Sequence, residues 1–85
     1  MSPVRVRLIT KPECHLCDDA REALAAGIAR TGVDADVVEE SILDDPELNA
    51  RYWDEIPVVI IEDRVHTIWR VDPARLDEAL RKAAQ

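Results

Sequence analysis

Three shortages bound what this 85-residue chain can be. No apolar run approaches the ~20 residues that a membrane-crossing helix needs. Nothing resembles a signal peptide either, because Met1-Ser2-Pro3 leads straight into Val4-Arg5-Val6. The expected compartment is the cytoplasm, with no membrane partner. Positive charge is scarce: 11 Lys and Arg face 18 Asp and Glu, for a net charge of −7. Such a surface repels phosphate backbones and excludes nucleic acid as an expected partner. It favours solubility, and it can steer a partner that carries a basic docking patch. Cysteine is scarce too, with only Cys14 and Cys17. In a reducing compartment structural disulfides are uncommon, while catalytic or metal-binding pairs persist. A Cys14–Cys17 bridge would also be a poor staple, since a loop that small is worth only about 2 kcal/mol in the chain-entropy picture.

What is present suffices for one domain, residues 1–85, with a stability of about 4–13 kcal/mol on per-residue averages. Val4, Val6 and Leu8 alternate with Arg5, Arg7 and Ile9, which predicts a strand that Lys11-Pro12 ends. Leu16, Ala20, Ala23, Leu24, Gly27 and Ile28 recur at helical spacing, with Arg30 and Gly32 marking the stop. Gly27 falls on the apolar face, where close packing against the sheet is expected. Val33 to Val38 alternates again and predicts a second strand, parallel to the first through a right-handed crossover. Asp45-Pro46 reads as cap and first turn of a short helix that presents Leu48 and Tyr52. Tyr52 and Trp53 are expected as core aromatics. Pro57-Val58-Val59-Ile60-Ile61 is apolar throughout, as in a strand buried on both faces. Glu62-Asp63-Arg64 suits a tight hairpin, although it lacks the glycine such turns favour. Val65 to Trp69 returns antiparallel. Asp72-Pro73 then starts a last helix whose stripe is Leu76, Ala79, Leu80 and Ala83. The expectation is an α/β fold in the order β-α-β-α-β-β-α, a mixed four-stranded sheet with helices on both faces.

Cys14-His15-Leu16-Cys17 stands where the first strand turns into the first helix. A C-x-x-C at such a turn reads as a dithiol/disulfide redox centre. Cys14 would lie at the helix start, where unpaired backbone N–H groups stabilise a thiolate. Lys11 adds positive charge nearby, while Glu13, Asp18 and Asp19 oppose the thiolate. Cys14 would attack a substrate disulfide, and Cys17, one turn on, would resolve the mixed disulfide. His15 is read as an exposed neighbour more than a tuning group, and His66 as a surface residue. A structural zinc site needs two further ligands beyond the cysteines, and only His15 and His66 exist besides carboxylates. An iron–sulfur cluster shared between two chains is a minor alternative. A non-catalytic protein-binding module is the other.

Together, Lys11-Pro12-Glu13-Cys14-His15-Leu16-Cys17, the following helix and Ile56-Pro57-Val58-Val59 resemble the glutaredoxin branch of the thioredoxin-like superfamily, in particular its small Cys-His-Leu-Cys members. The resemblance covers essentially the whole chain. It implies a thiol–disulfide oxidoreductase with Cys14 and Cys17 catalytic and a cis Ile56–Pro57 peptide facing them. It also implies substrate contacts through Lys11, Ile56, Pro57 and Asp72. No bound cofactor is expected. Glutathione enters as a co-substrate, protein disulfides as substrates, and glutathione or thioredoxin reductase as electron donor to a monomer. The family's Gly-Gly step is Trp69-Arg70 here. Large side chains at that point oppose the close backbone approach that glycine permits.

Overall fold

The computed structural model describes residues 2–85; Met1, where the sequence reading begins, lies outside the described residues. The elements are β1 (Val4–Thr10), α1 (His15–Thr31), β2 (Ala35–Ser41), α2 (Pro46–Tyr52), β3 (Val58–Ile61), β4 (Arg64–Ile68) and α3 (Pro73–Ala83). Their order is the one expected. The sheet runs β2-β1-β3-β4, with β1 parallel to β2 and antiparallel to β3, and β3 antiparallel to β4.

Strand alternation sorts β1 into two faces. Val4, Val6 and Leu8 join Val59 and Ile61 under α1 and α3, where Ala20, Leu24, Leu76 and Leu80 complete the core. Ile9, Val58 and Ile60 face the other way, towards Leu48 of α2, and meet Cys17 and Ile56 there. All four residues of β3 are buried, which is why its sequence is continuously apolar. Each such side chain contributes about 1.5–3 kcal/mol by leaving water.

Local chemistry sets the element ends. Asp45 and Asp72 cap α2 and α3 by accepting from Glu47 N–H (2.9 Å) and Ala74 N–H (3.1 Å), and a proline opens each helix. Gly32 ends α1 in the left-handed region at φ 70°. The hairpin turn has positive φ at both Glu62 (49°) and Asp63 (67°), the conformation a two-residue turn demands, here achieved without glycine. Arg5 reaches across from β1 to both acids, 3.6 Å to Glu62 and 2.8 Å to Asp63.

Four details differ from expectation. The second strand begins at Ala35 rather than Val33 and continues to Ser41. It is a sheet edge, and Val37 and Val38 stay exposed on its two faces. Trp53 is 63% exposed rather than core, since a helix of seven residues buries only the face carrying Leu48 and, partly, Tyr52. Gly27 makes its close approach to α3, not to the sheet: a Cβ there would stand 2.7 Å from Leu76 Cδ2. Arg30 reinforces the same helix pair with two hydrogen bonds to Asp77, at 2.6 and 2.8 Å. No described helix is long and apolar enough to cross a membrane.

Candidate active site

β1 delivers the chain to Lys11, and the Pro12-Glu13 turn redirects it into α1. Glu13 takes a left-handed φ of 55°, which a residue with a Cβ adopts only at a cost. That turn leaves Cys14 as the extended N-cap of α1. Its Sγ accepts the N–H of Cys17 at 3.1 Å, so the sulfur itself serves one of the helix's unpaired donors.

The two thiols differ in exposure. Both are free, Cys14 partly exposed and Cys17 only 1% exposed. Burial first, then the hydrogen bond with Cys14, pushes the Cys17 thiol up to about 11 from a reference of 9.0. The charge interaction with Cys14 adds to that rise. A backbone hydrogen bond from Lys11 and the Arg21 guanidinium act the other way. Lys11 also borders the pocket beside the two thiols.

A pocket of about 330 Å³ opens beside Cys14 and Cys17, with Lys11, Asp18, Arg21 and Glu39 among the residues around it. Arg21 bridges Asp18 (2.7 Å) and Glu39 (2.6 Å) and so balances two acids at the rim. Arg21 and Glu39 went unnoticed in the sequence. Arg21 had a signal, since it is four residues after Cys17 and so on the same helix face. Glu39 had none, because only the β1–β2 pairing brings it there. Asp19 is on a different side of α1, lining a groove with Leu16, Trp69 and Arg70. His15 is exposed.

On the other flank, Ile56 and Cys17 share one buried cluster, with Cys14 packed against it. The Ile56–Pro57 peptide is cis. Trp69 N–H donates to the Pro57 carbonyl at 2.9 Å, which ties the segment after β4 to this corner. Trp69 adopts φ 66°, the left-handed backbone glycine prefers, and its indole N–H donates to the Asp54 carbonyl at 3.1 Å. The structure thus gathers Cys14, Cys17, Lys11, Ile56 and Pro57 in one region. Asp72 serves as the α3 cap, and His66 is a half-buried residue on β4. Among the described residues no three His, Cys, Asp or Glu side chains form a metal-ligating group.

Comparison with known proteins agrees with this geometry. A family model described as a glutaredoxin-like domain (DUF836) matches residues 5–81. The uncharacterized protein Rv0508 of Mycobacterium tuberculosis is 33% identical over 79 residues, spanning 89% of this chain and 81% of its own length. The X-ray structure of protein XcR50 from X. campestris is similar with a TM-score of 0.74 at 31% identity, covering 91% of this chain and 96% of that one. Thioredoxin-2 of the malaria parasite has a TM-score of 0.70 at 13% identity, covering 94% and 82%. That last likeness is one of fold, and the fold is thioredoxin-like.

Proposed function

The chain belongs to the glutaredoxin-like domain family, and on that footing we propose that it is a thiol–disulfide oxidoreductase acting through Cys14 and Cys17. The observation that most supports this reading is the partly exposed Cys14 sulfur at the α1 N-cap, with the Cys17 N–H donating to it at 3.1 Å. In the first step the Cys14 thiolate attacks one sulfur of a substrate disulfide. A Cys14–substrate disulfide forms, and the other substrate sulfur leaves as a thiolate and takes up a proton. Cys17 then loses its proton and attacks Cys14 Sγ. The Cys14–Cys17 disulfide forms, and the second substrate sulfur leaves and is protonated. Two electrons have passed to the substrate, and an external thiol donor, glutathione or a protein such as thioredoxin reductase, restores the dithiol.

The raised Cys17 thiol orders these steps. Burial first, then the hydrogen bond and the charge of an anionic Cys14, hold the proton on Cys17. Once Cys14 carries the mixed disulfide its charge is gone, while burial, the largest cause of the raised thiol, still acts on Cys17. A reducing cytoplasm would keep the resting pair as thiols. Ile56, beside cis-Pro57, is placed to pair its backbone with an extended substrate segment in the manner of strand addition. Lys11 would border that substrate, and Asp72 remains the proposed contact for a glutathione end group. Trp69 in place of glycine favours protein disulfides over glutathione.

The test is a pair of variants in an insulin-reduction assay with dithiothreitol, glutathione and an NADPH–thioredoxin reductase system as donors. Cys14→Ser should abolish reduction, and Cys17→Ser should accumulate a mixed disulfide visible as a mass increase. Full activity in Cys14→Ser would end this reading. A wild-type dithiol that stays inert with every donor would favour the binding module.

A further inference from the structure

The net charge of −7 hides an uneven distribution. Arg5, Arg7, Arg21 and Arg30 each hold a carboxylate within 4.0 Å. Among the described residues the other seven of the 11 Lys and Arg hold none, and three of those seven, Arg64, Arg75 and Lys82, line one groove between β4 and α3, of about 620 Å³. Arg75 and Lys82 are seven apart on α3, so they lie on one face two turns apart, with the small Ala79 between them. Ile61, Val65 and Ala79 give the groove an apolar floor. The acid on its rim, Glu62, is turned to Arg5: its Oε2 accepts the Arg5 N–H at 3.1 Å and lies 3.6 Å from Arg5 Nε.

His66 enters the same groove through a β-bulge. The β3–β4 register steps from Ile60↔Val65 to Val59↔Thr67, which leaves His66 as the extra residue. A bulge redirects the side chain it carries, and bulges gather beside functional sites. Burial and then the Arg75 charge lower the His66 pKa, while Asp72 raises it, so the ring sits within electrostatic reach of Arg75.

Unpaired cations above an apolar floor have a specific complement. Guanidinium forks match the oxygens of a phosphoryl group, and an ammonium adds a point charge. Three cations exceed what one carboxylate would neutralise and suit the near-double charge of a phosphomonoester. Nucleic acid would have to run on over an acidic surface. A small ligand stays inside the groove, where repulsion from charges more than about 8 Å away is largely screened at physiological salt.

We propose that the β4–α3 groove binds a small phosphomonoester, its phosphoryl group held by Arg64, Arg75 and Lys82 and its carbon skeleton resting on Ile61, Val65 and Ala79. This site is separate from the dithiol, so either reading can fail without the other. The test is NMR titration of the reduced full-length chain at fixed ionic strength. The probes are AMP, adenosine, inorganic phosphate and a poly-glutamate peptide. AMP should give saturable shifts at Arg64, His66, Arg75 and Lys82. Phosphate should shift the same amides more weakly, and adenosine should bind about tenfold more weakly or worse, having lost its charge-assisted bonds. Arg75→Gln with Lys82→Gln should weaken AMP by about tenfold or more while Cys14 alkylation keeps its rate. Three results would each overturn the proposal: no saturable shift with AMP, unchanged AMP affinity in the double variant, or poly-glutamate displacing AMP at equal affinity.

Discussion

Gly27 on α1 and Leu76 on α3 meet with no room for a side chain between them: a Cβ on Gly27 would be 2.7 Å from Leu76 Cδ2 and 3.3 Å from Asp77 Oδ1. Leu76 is fully buried, so its methyl cannot swing into solvent. Gly27→Ala gains about 1 kcal/mol of helix propensity, against about 1–3 kcal/mol for overpacking. The expected result is a net loss of about 1 kcal/mol, and Gly27→Val should lose more. Urea midpoints measure both. A Gly27→Ala protein more stable than the parent would mean that α1 and α3 are not held at this spacing.

The thiols should be separable by chemistry alone. Cys17 is buried and its thiol is raised to about 11, whereas Cys14 is partly exposed at the N-cap. Iodoacetamide at neutral pH should modify Cys14 first, and Cys17 only slowly. The Cys17 rate in a Cys14→Ser protein should climb only in the alkaline range. Because the folded value lies above the unfolded 9.0, the protonated thiol contributes stability below pH 9, and that contribution is lost as pH rises towards about 11. Peptide mass mapping of the labelled protein decides the order; equal labelling at pH 7 contradicts it.

The element order and the C-x-x-C position were legible because both rest on local signals: alternation, helical spacing, Asp-Pro starts and a turn-forming proline. What escaped needs knowledge of neighbours across the sheet. Glu39 joins the dithiol pocket only through the parallel register that sets Leu8 opposite it. Val37 looks like a core residue by alternation, yet lies on the edge strand and stays exposed. The left-handed residues Glu13, Glu62, Asp63 and Trp69 carry no glycine to announce them. Their conformations are imposed by the elements they connect. His66 sits at a bulge, which breaks the alternation that would assign it a face.

His66 should make stability fall on mild acidification. Its folded pKa lies below 6.5, owing to burial and then to Arg75, with Asp72 opposing. Arg64 and Lys82 share its groove, while Glu62 is directed to Arg5. The unfolded chain therefore binds the proton more readily, and stability rises with pH up to about 6.5 and levels above it. Asp77 is held below 3.8 by Arg30 and acts only in stronger acid. Thermal midpoints should drop from pH 7.5 to pH 5, more steeply than in His66→Gln. Parallel curves for the two proteins would place the pH dependence elsewhere.

Trp69 offers a comparison in which glycine should surpass alanine. At φ 66° any residue with a Cβ is strained, and both substitutions remove the indole and its hydrogen bond to the Asp54 carbonyl. They differ only in the Cβ, so Trp69→Gly should be more stable than Trp69→Ala by about 1 kcal/mol, the reverse of their order in a helix. On the proposed redox reading, the same pair reports on substrate choice. Removing the ring should raise turnover of a glutathione mixed disulfide relative to a peptide disulfide, and glycine should raise it further because a ligand can approach its backbone closely. Denaturant midpoints give the first comparison and a ratio of kcat/KM values the second. An alanine variant as stable as the glycine one would show that Trp69 relaxes out of the left-handed region. An unchanged substrate ratio would remove Trp69 as a determinant of specificity.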